Sequence, residues 1–85
     1  MANVEIYTTK ICPYCTRAKN LLNTKDVDFI EHDMTNDDAG REELVRKSNG
    51  LRTVPQIFIN GQHIGGCDRL YELEEKGELD RLLSQ

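Results

Sequence analysis

The alternating run Val4-Glu5-Ile6-Tyr7-Thr8 leads through Thr9-Lys10-Ile11 into Cys12-Pro13-Tyr14-Cys15, and this junction restricts the fold more than any other part of the chain. β-Branched and aromatic residues at period two describe a strand, so the cysteine pair lies on the loop that leaves it. Proline suits the first helical position, where its missing N–H has no partner to lose, and Tyr14, Ala18, Leu21 and Leu22 follow at helical spacing. Cys12 is therefore expected as the cap of a helix that begins at Pro13.

Beyond the polar stretch Asn23-Thr24-Lys25-Asp26, the run Val27-Asp28-Phe29-Ile30-Glu31 reads as a second strand, giving strand, helix, strand with a right-handed parallel crossover. A second helix is expected from about Asn36, with Asp37 and Asp38 in its first turn, Arg46 and Lys47 in its last, and Asn49-Gly50 as its stop. Gln56-Ile57-Phe58-Ile59 and Gln62-His63-Ile64-Gly65 flank Asn60-Gly61, the strongest short signal for a tight hairpin. Three successive apolar residues in the first of these strands imply cover on both faces. A last helical region opens at Gly66-Cys67-Asp68, breaks at Gly77 and continues through Leu79, Leu82 and Leu83. The order βαβαββα, with a CxxC opening the first helix, describes an α/β chain with a four-stranded mixed sheet of the thioredoxin type and helices on both faces.

At 85 residues there is room for one core, so residues 1–85 are expected as a single domain. Fifteen acidic against eleven basic residues give a formal charge of -4, the wrong sign for a domain that neutralises phosphates, so nucleic acid is not expected as a partner. No apolar run reaches the roughly 20 residues that span a bilayer and nothing resembles a signal peptide, so a cytoplasmic protein with no membrane partner is expected. Three cysteines do not make the even framework of a small secreted domain.

A thiolate is the attacking species in disulfide exchange, and Cys12 at a helix N-terminus faces unpaired amides, expected to be those of Tyr14 and Cys15. Lowering a thiol by about three pKa units takes on the order of 4 kcal/mol, whereas a helix dipole contributes roughly 0.3–1. One or two hydrogen bonds to the charged sulfur, at about 1.5–3 kcal/mol each, supply the difference. Cys15 is in phase with Ala18 and Leu22 and so points inward, buried and protonated: Cys12 attacks and Cys15 resolves. The competing reading is zinc, through a C-x2-C pair with His63 and Cys67, but Pro13 and a helix phase that separates the sulfurs suit redox work better, and no metal is expected. His32 and His63 otherwise read as surface histidines, and Cys67 as a bystander thiol.

Cys12-Pro13-Tyr14-Cys15, Thr53-Val54-Pro55 and Gly65-Gly66-Cys67-Asp68 together resemble the three signature segments of the class I dithiol glutaredoxins, and the similarity runs through nearly the whole chain. The resemblance implies a glutathione-dependent disulfide oxidoreductase that reduces protein disulfides and glutathione mixed disulfides, with ribonucleotide reductase as one candidate substrate and a monomer as the working form. It also implies a cis Pro55 that turns the Val54 backbone toward Cys12, where it pairs with the cysteinyl backbone of glutathione. Thr53 and Tyr14 flank that ligand. Gly65-Gly66 permits close backbone approach, and the amides of Cys67 and Asp68 take its γ-glutamyl carboxylate, with the Asp68 side chain on the ammonium.

Relatives hold the other carboxylate with a lysine or arginine three residues before the first cysteine and often with a residue at the place of Arg52. Here Thr9 stands at the upstream position and Lys10 comes one residue late, so Lys10 and Arg52 share that expectation. Arg69 stands where many relatives carry an acid. Some glutaredoxins instead hold an iron–sulfur cluster between two monomers, but those usually carry a small residue at the place of Pro13.

Overall fold

The computed structural model describes residues 2–85, leaving Met1 of the expected 1–85 domain outside the described residues. Strand β1, Val4–Thr8, lies at the centre of a four-stranded sheet. It pairs in parallel with β2, Ile30–Asp33, and antiparallel with β3, Gln56–Ile59, which in turn pairs antiparallel with β4, Gln62–Gly65. The spatial order is β2-β1-β3-β4. The parallel pair requires a crossover, and α1, Pro13–Thr24, supplies it. Helix α2, Asp38–Lys47, connects β2 to β3, and α3, Cys67–Glu75, with the short α4, Leu79–Leu83, closes the chain.

Period two sorts the strand side chains onto two faces. Val4, Ile6, Ile57 and Ile59 meet Ala18 and Leu22 of α1, Leu70 and Leu73 of α3, and Leu79 and Leu83 of α4 in the larger core cluster. On the opposite face Phe58 packs with Met34 and Leu44, flanked by Tyr7 and Val54. Every residue of β3 is buried, as its unbroken apolar run requires. Asn60 and Gly61 both take positive φ, 52° and 79°, the backbone that a two-residue hairpin with the right twist needs.

The second strand is displaced from its expected position at Val27–Glu31. Val27 and Phe29 are not in the sheet; they pack against the larger core as the chain approaches it, and β2 runs from Ile30 to Asp33 in register with Glu5–Thr8. As an edge strand, β2 has mostly polar, exposed residues, so the apolar run marks its lead-in rather than the strand itself. Asp37 caps α2 rather than sitting inside its first turn: its carboxylate accepts from the Gly40 amide at 2.8 Å. Asn49 and Gly50, with φ of 59° and 86°, end the helix as expected. Among the described residues no helix is long and apolar enough to cross a membrane.

Candidate active site

Cys12 is the N-cap of α1 in extended backbone, and Pro13 follows at the first helical position. The Cys12 sulfur accepts from the Cys15 amide at 3.1 Å; of the two donors expected for it, only Cys15 is engaged among the described residues. Cys12 and Cys15 form a disulfide, with Cα atoms 5.2 Å apart. The two sulfurs are not equivalent, because Cys12 is half-buried at the surface while Cys15 is only 2% exposed on the inward face of the helix. The Val54–Pro55 peptide is cis, and the Val54 carbonyl oxygen stands 3.8 Å from Cys12 Sγ.

Beside the disulfide runs an open groove of about 560 Å³. Tyr14, 55% exposed, forms one side; Thr53, Val54 and Pro55 form another; Gly66, Cys67 and Asp68 close the end at the start of α3. Seven of the expected ligand contacts thus converge on one cavity. The first amides of α3 carry no side-chain cap, so they remain available to an anion. A Cβ on Gly66 would stand 3.3 Å from the Pro55 carbonyl oxygen, so the absence of a side chain lets the two walls approach each other.

Lys10 and Arg52 fall outside the groove. Lys10 lines a hollow of about 310 Å³ with Ile11 and Arg41, and Arg52 lines one of about 190 Å³, each sharing Val54 with the groove. The Arg52 guanidinium is paired with Glu42 at 3.2 Å, whereas Lys10 has no carboxylate partner among the described residues. Arg17 lies over the Tyr14 ring at 5.9 Å and over Tyr71 at 5.3 Å, a contact that nothing in the sequence signals.

Both histidines differ from the surface residues expected. His32 stacks on Tyr7 with ring centroids 4.4 Å apart and pairs with Glu5 at 3.1 Å. His63 lines the groove, and both of its ring nitrogens are engaged, Nε2 with Gln56 and Nδ1 with Asn49; burial lowers its pKa. Among the described residues no three potential ligands converge on a metal position. Cys67 is buried and unpaired, its thiol pKa pushed up by burial, with Arg17 opposing and Asp68 adding to that shift.

The glutaredoxin family model matches residues 4–64. Glutaredoxin 3 of Escherichia coli K12 is 59% identical over 83 residues, covering 98% of this chain and 99% of its own. A probable glutaredoxin of Synechocystis is 54% identical over 98% of this chain and 76% of its own length. Among solved structures, a buckwheat glutaredoxin in complex with glutathione superposes with a TM-score of 0.89 at 30% identity, over 98% of this chain and 77% of that one. The glutaredoxin of Brucella melitensis gives 0.87 at 49% identity, over 98% and 89%.

Proposed function

The chain belongs to the glutaredoxin family, and from that membership we propose that it reduces glutathione mixed disulfides and protein disulfides with glutathione as electron donor, through the thiolate of Cys12. The observation that carries this reading is the asymmetry of the pair: an accessible sulfur on a helix cap, within reach of the Cys15 amide, and a second sulfur buried one turn behind it. In the reduced protein that amide is placed to stabilise the thiolate by a charge-assisted hydrogen bond.

Cys12 attacks the glutathione sulfur of a mixed disulfide; a sulfur–sulfur bond forms to Cys12 while the substrate thiolate leaves. A second glutathione thiolate then attacks this adduct, releasing glutathione disulfide and restoring the Cys12 thiolate. Alternatively, Cys15 attacks the adduct, giving the Cys12–Cys15 disulfide and one glutathione, and two glutathione molecules reset the pair. Each step exchanges one disulfide for another, so electrons balance without a metal or a further reductant.

Bound glutathione lies along the groove with its γ-glutamyl carboxylate on the Cys67 and Asp68 amides, its ammonium on the Asp68 carboxylate, and its cysteinyl backbone on Val54, between Tyr14 and Thr53. The unpaired Lys10 reaches the glycyl carboxylate, with Arg52 assisting only by leaving Glu42. The same reading extends to action as a monomer in the cytoplasm, with ribonucleotide reductase as one candidate protein substrate.

Turnover of a glutathionylated peptide tests the reading. Cys12→Ser is expected to fall to background, because no other thiol is exposed beside the groove, while Cys15→Ser keeps a substantial part of the rate through the route that uses a second glutathione. Equal retention in both variants would sink the assignment.

A further inference from the structure

Gln56 is a fully buried carboxamide in a strand that is otherwise apolar, and both ends of its side chain are used. Its Nε2 donates to the Thr53 carbonyl at 2.9 Å and approaches the Thr53 hydroxyl at 3.3 Å, while its Oε1 lies 2.7 Å from His63 Nε2. His63 Nδ1 in turn lies 3.1 Å from the Asn49 side-chain amide. The direction of donation follows from the far end. A backbone carbonyl only accepts, so the amide nitrogen of Gln56 faces Thr53 and its oxygen faces His63. The imidazole must then carry its proton on Nε2, leaving Nδ1 to accept from Asn49. Donation runs one way, from Asn49 through His63 and Gln56 to Thr53.

This chain of bonds ties β4 and the turn after α2 to residue 53, in a stretch between α2 and β3 that has no regular structure of its own. Thr53, Gln56 and His63 all line the groove, and His63 donates to Gln56 rather than to either cysteine. Building on the glutathione reading above, we propose that His63 is a positioning residue for glutathione: acting through Gln56, it holds the Thr53 peptide, and with it the Thr53-Val54 wall, in the orientation that receives the ligand. A wall held in place beforehand spares the ligand the ordering cost of an irregular segment. The expected signature is weaker binding with unaltered chemistry.

Steady-state turnover of a glutathionylated peptide by the full chain, with the Cys12 thiolate titrated by its absorbance, separates these effects. His63→Leu is expected to raise KM roughly five-fold, the factor set by one ordinary hydrogen bond, with kcat and the thiolate titration unchanged. His63→Gln keeps an amide donor toward Gln56 and is expected within about two-fold of the parent KM. Asn49→Gly removes only the outer bond, at an exposed position whose φ of 59° glycine adopts freely, and should raise KM by a smaller factor. It decides the matter alone if His63→Leu does not fold. An unchanged KM in the variants that fold overturns the proposal, as does a His63→Gln no better than His63→Leu. Absence of turnover by the parent protein would be seen before any variant is made, and would sink the glutathione reading and this inference together.

Discussion

The carbonyl oxygen of Pro55 stands 3.3 Å from the place of a Cβ on Gly66, close enough that a methyl group there must move one wall of the groove by a few tenths of an ångström. Gly66 has φ of -92°, which any residue adopts, so backbone conformation is not what demands glycine here; the close approach is. Gly66→Ala is therefore expected to leave folding nearly unchanged but to displace the start of α3 from the Val54-Pro55 wall. A rise of roughly three- to ten-fold in KM for a glutathionylated peptide, with the Cys12 thiolate titration unmoved, is the expected result. A KM equal to the parent's would mean that the walls yield without consequence. At this scale the nucleophile was readable in the sequence because one proline and one helix phase determine it. Gln56 and His63 were not, because their partners come from a loop and a neighbouring strand. The one available hint is a carboxamide at the head of an otherwise apolar strand.

Elements are joined in this fold by polar contacts at the sheet's edge as well as by the core. Glu31 on β2 accepts from the Thr8 hydroxyl of β1 at 2.7 Å and pairs with Lys19 of α1 at 3.0 Å, tying three consecutive elements. The hydroxyl bond first, and then Lys19, lower its carboxyl pKa. A group whose folded pKa is depressed contributes stability above its unfolded value, about 4.3, and loses it as pH falls through the lower folded value. Urea midpoints are thus expected to show parent and Glu31→Gln apart at neutral pH and converging as pH drops below about 4. The gap should be small, because the Glu31 side chain is 37% exposed and solvent screens it. A gap that stays constant with pH would mean that charge is not its source. The same contacts explain why the apolar pattern points to Val27–Glu31 rather than to β2 itself, while it locates β1, β3 and the hairpin: hydrophobic alternation finds strands that bury a face, and the side chains of β2 are held through Glu31 and His32 instead.

Over the whole molecule the sheet separates a larger core, built with α1, α3 and α4, from a smaller one under α2, and the division has a functional consequence. Ile57 faces the larger cluster, while its neighbour Phe58 faces the smaller one. Phe58 meets Tyr7 edge-on at 5.6 Å and His63 at 5.1 Å, so the small core supports the wall of the groove. Substitutions in the two cores should therefore differ in kind. Leu79, fully buried in α4, belongs to the larger cluster and lines no part of the groove. Leu79→Ala is expected to cost about 2–5 kcal/mol, a large share of what a small domain has, yet to leave the KM of the folded fraction untouched. Phe58→Leu keeps an apolar side chain and gives up aromatic contacts worth about 0.5–1.5 kcal/mol each, so its stability cost should be smaller. Its KM should nonetheless rise, in the same direction as His63→Leu, because the imidazole loses the ring it rests against. Denaturant midpoints and steady-state kinetics on the two variants would show the contrast. If KM follows stability in both, the small core is packing alone and its link to the groove fails.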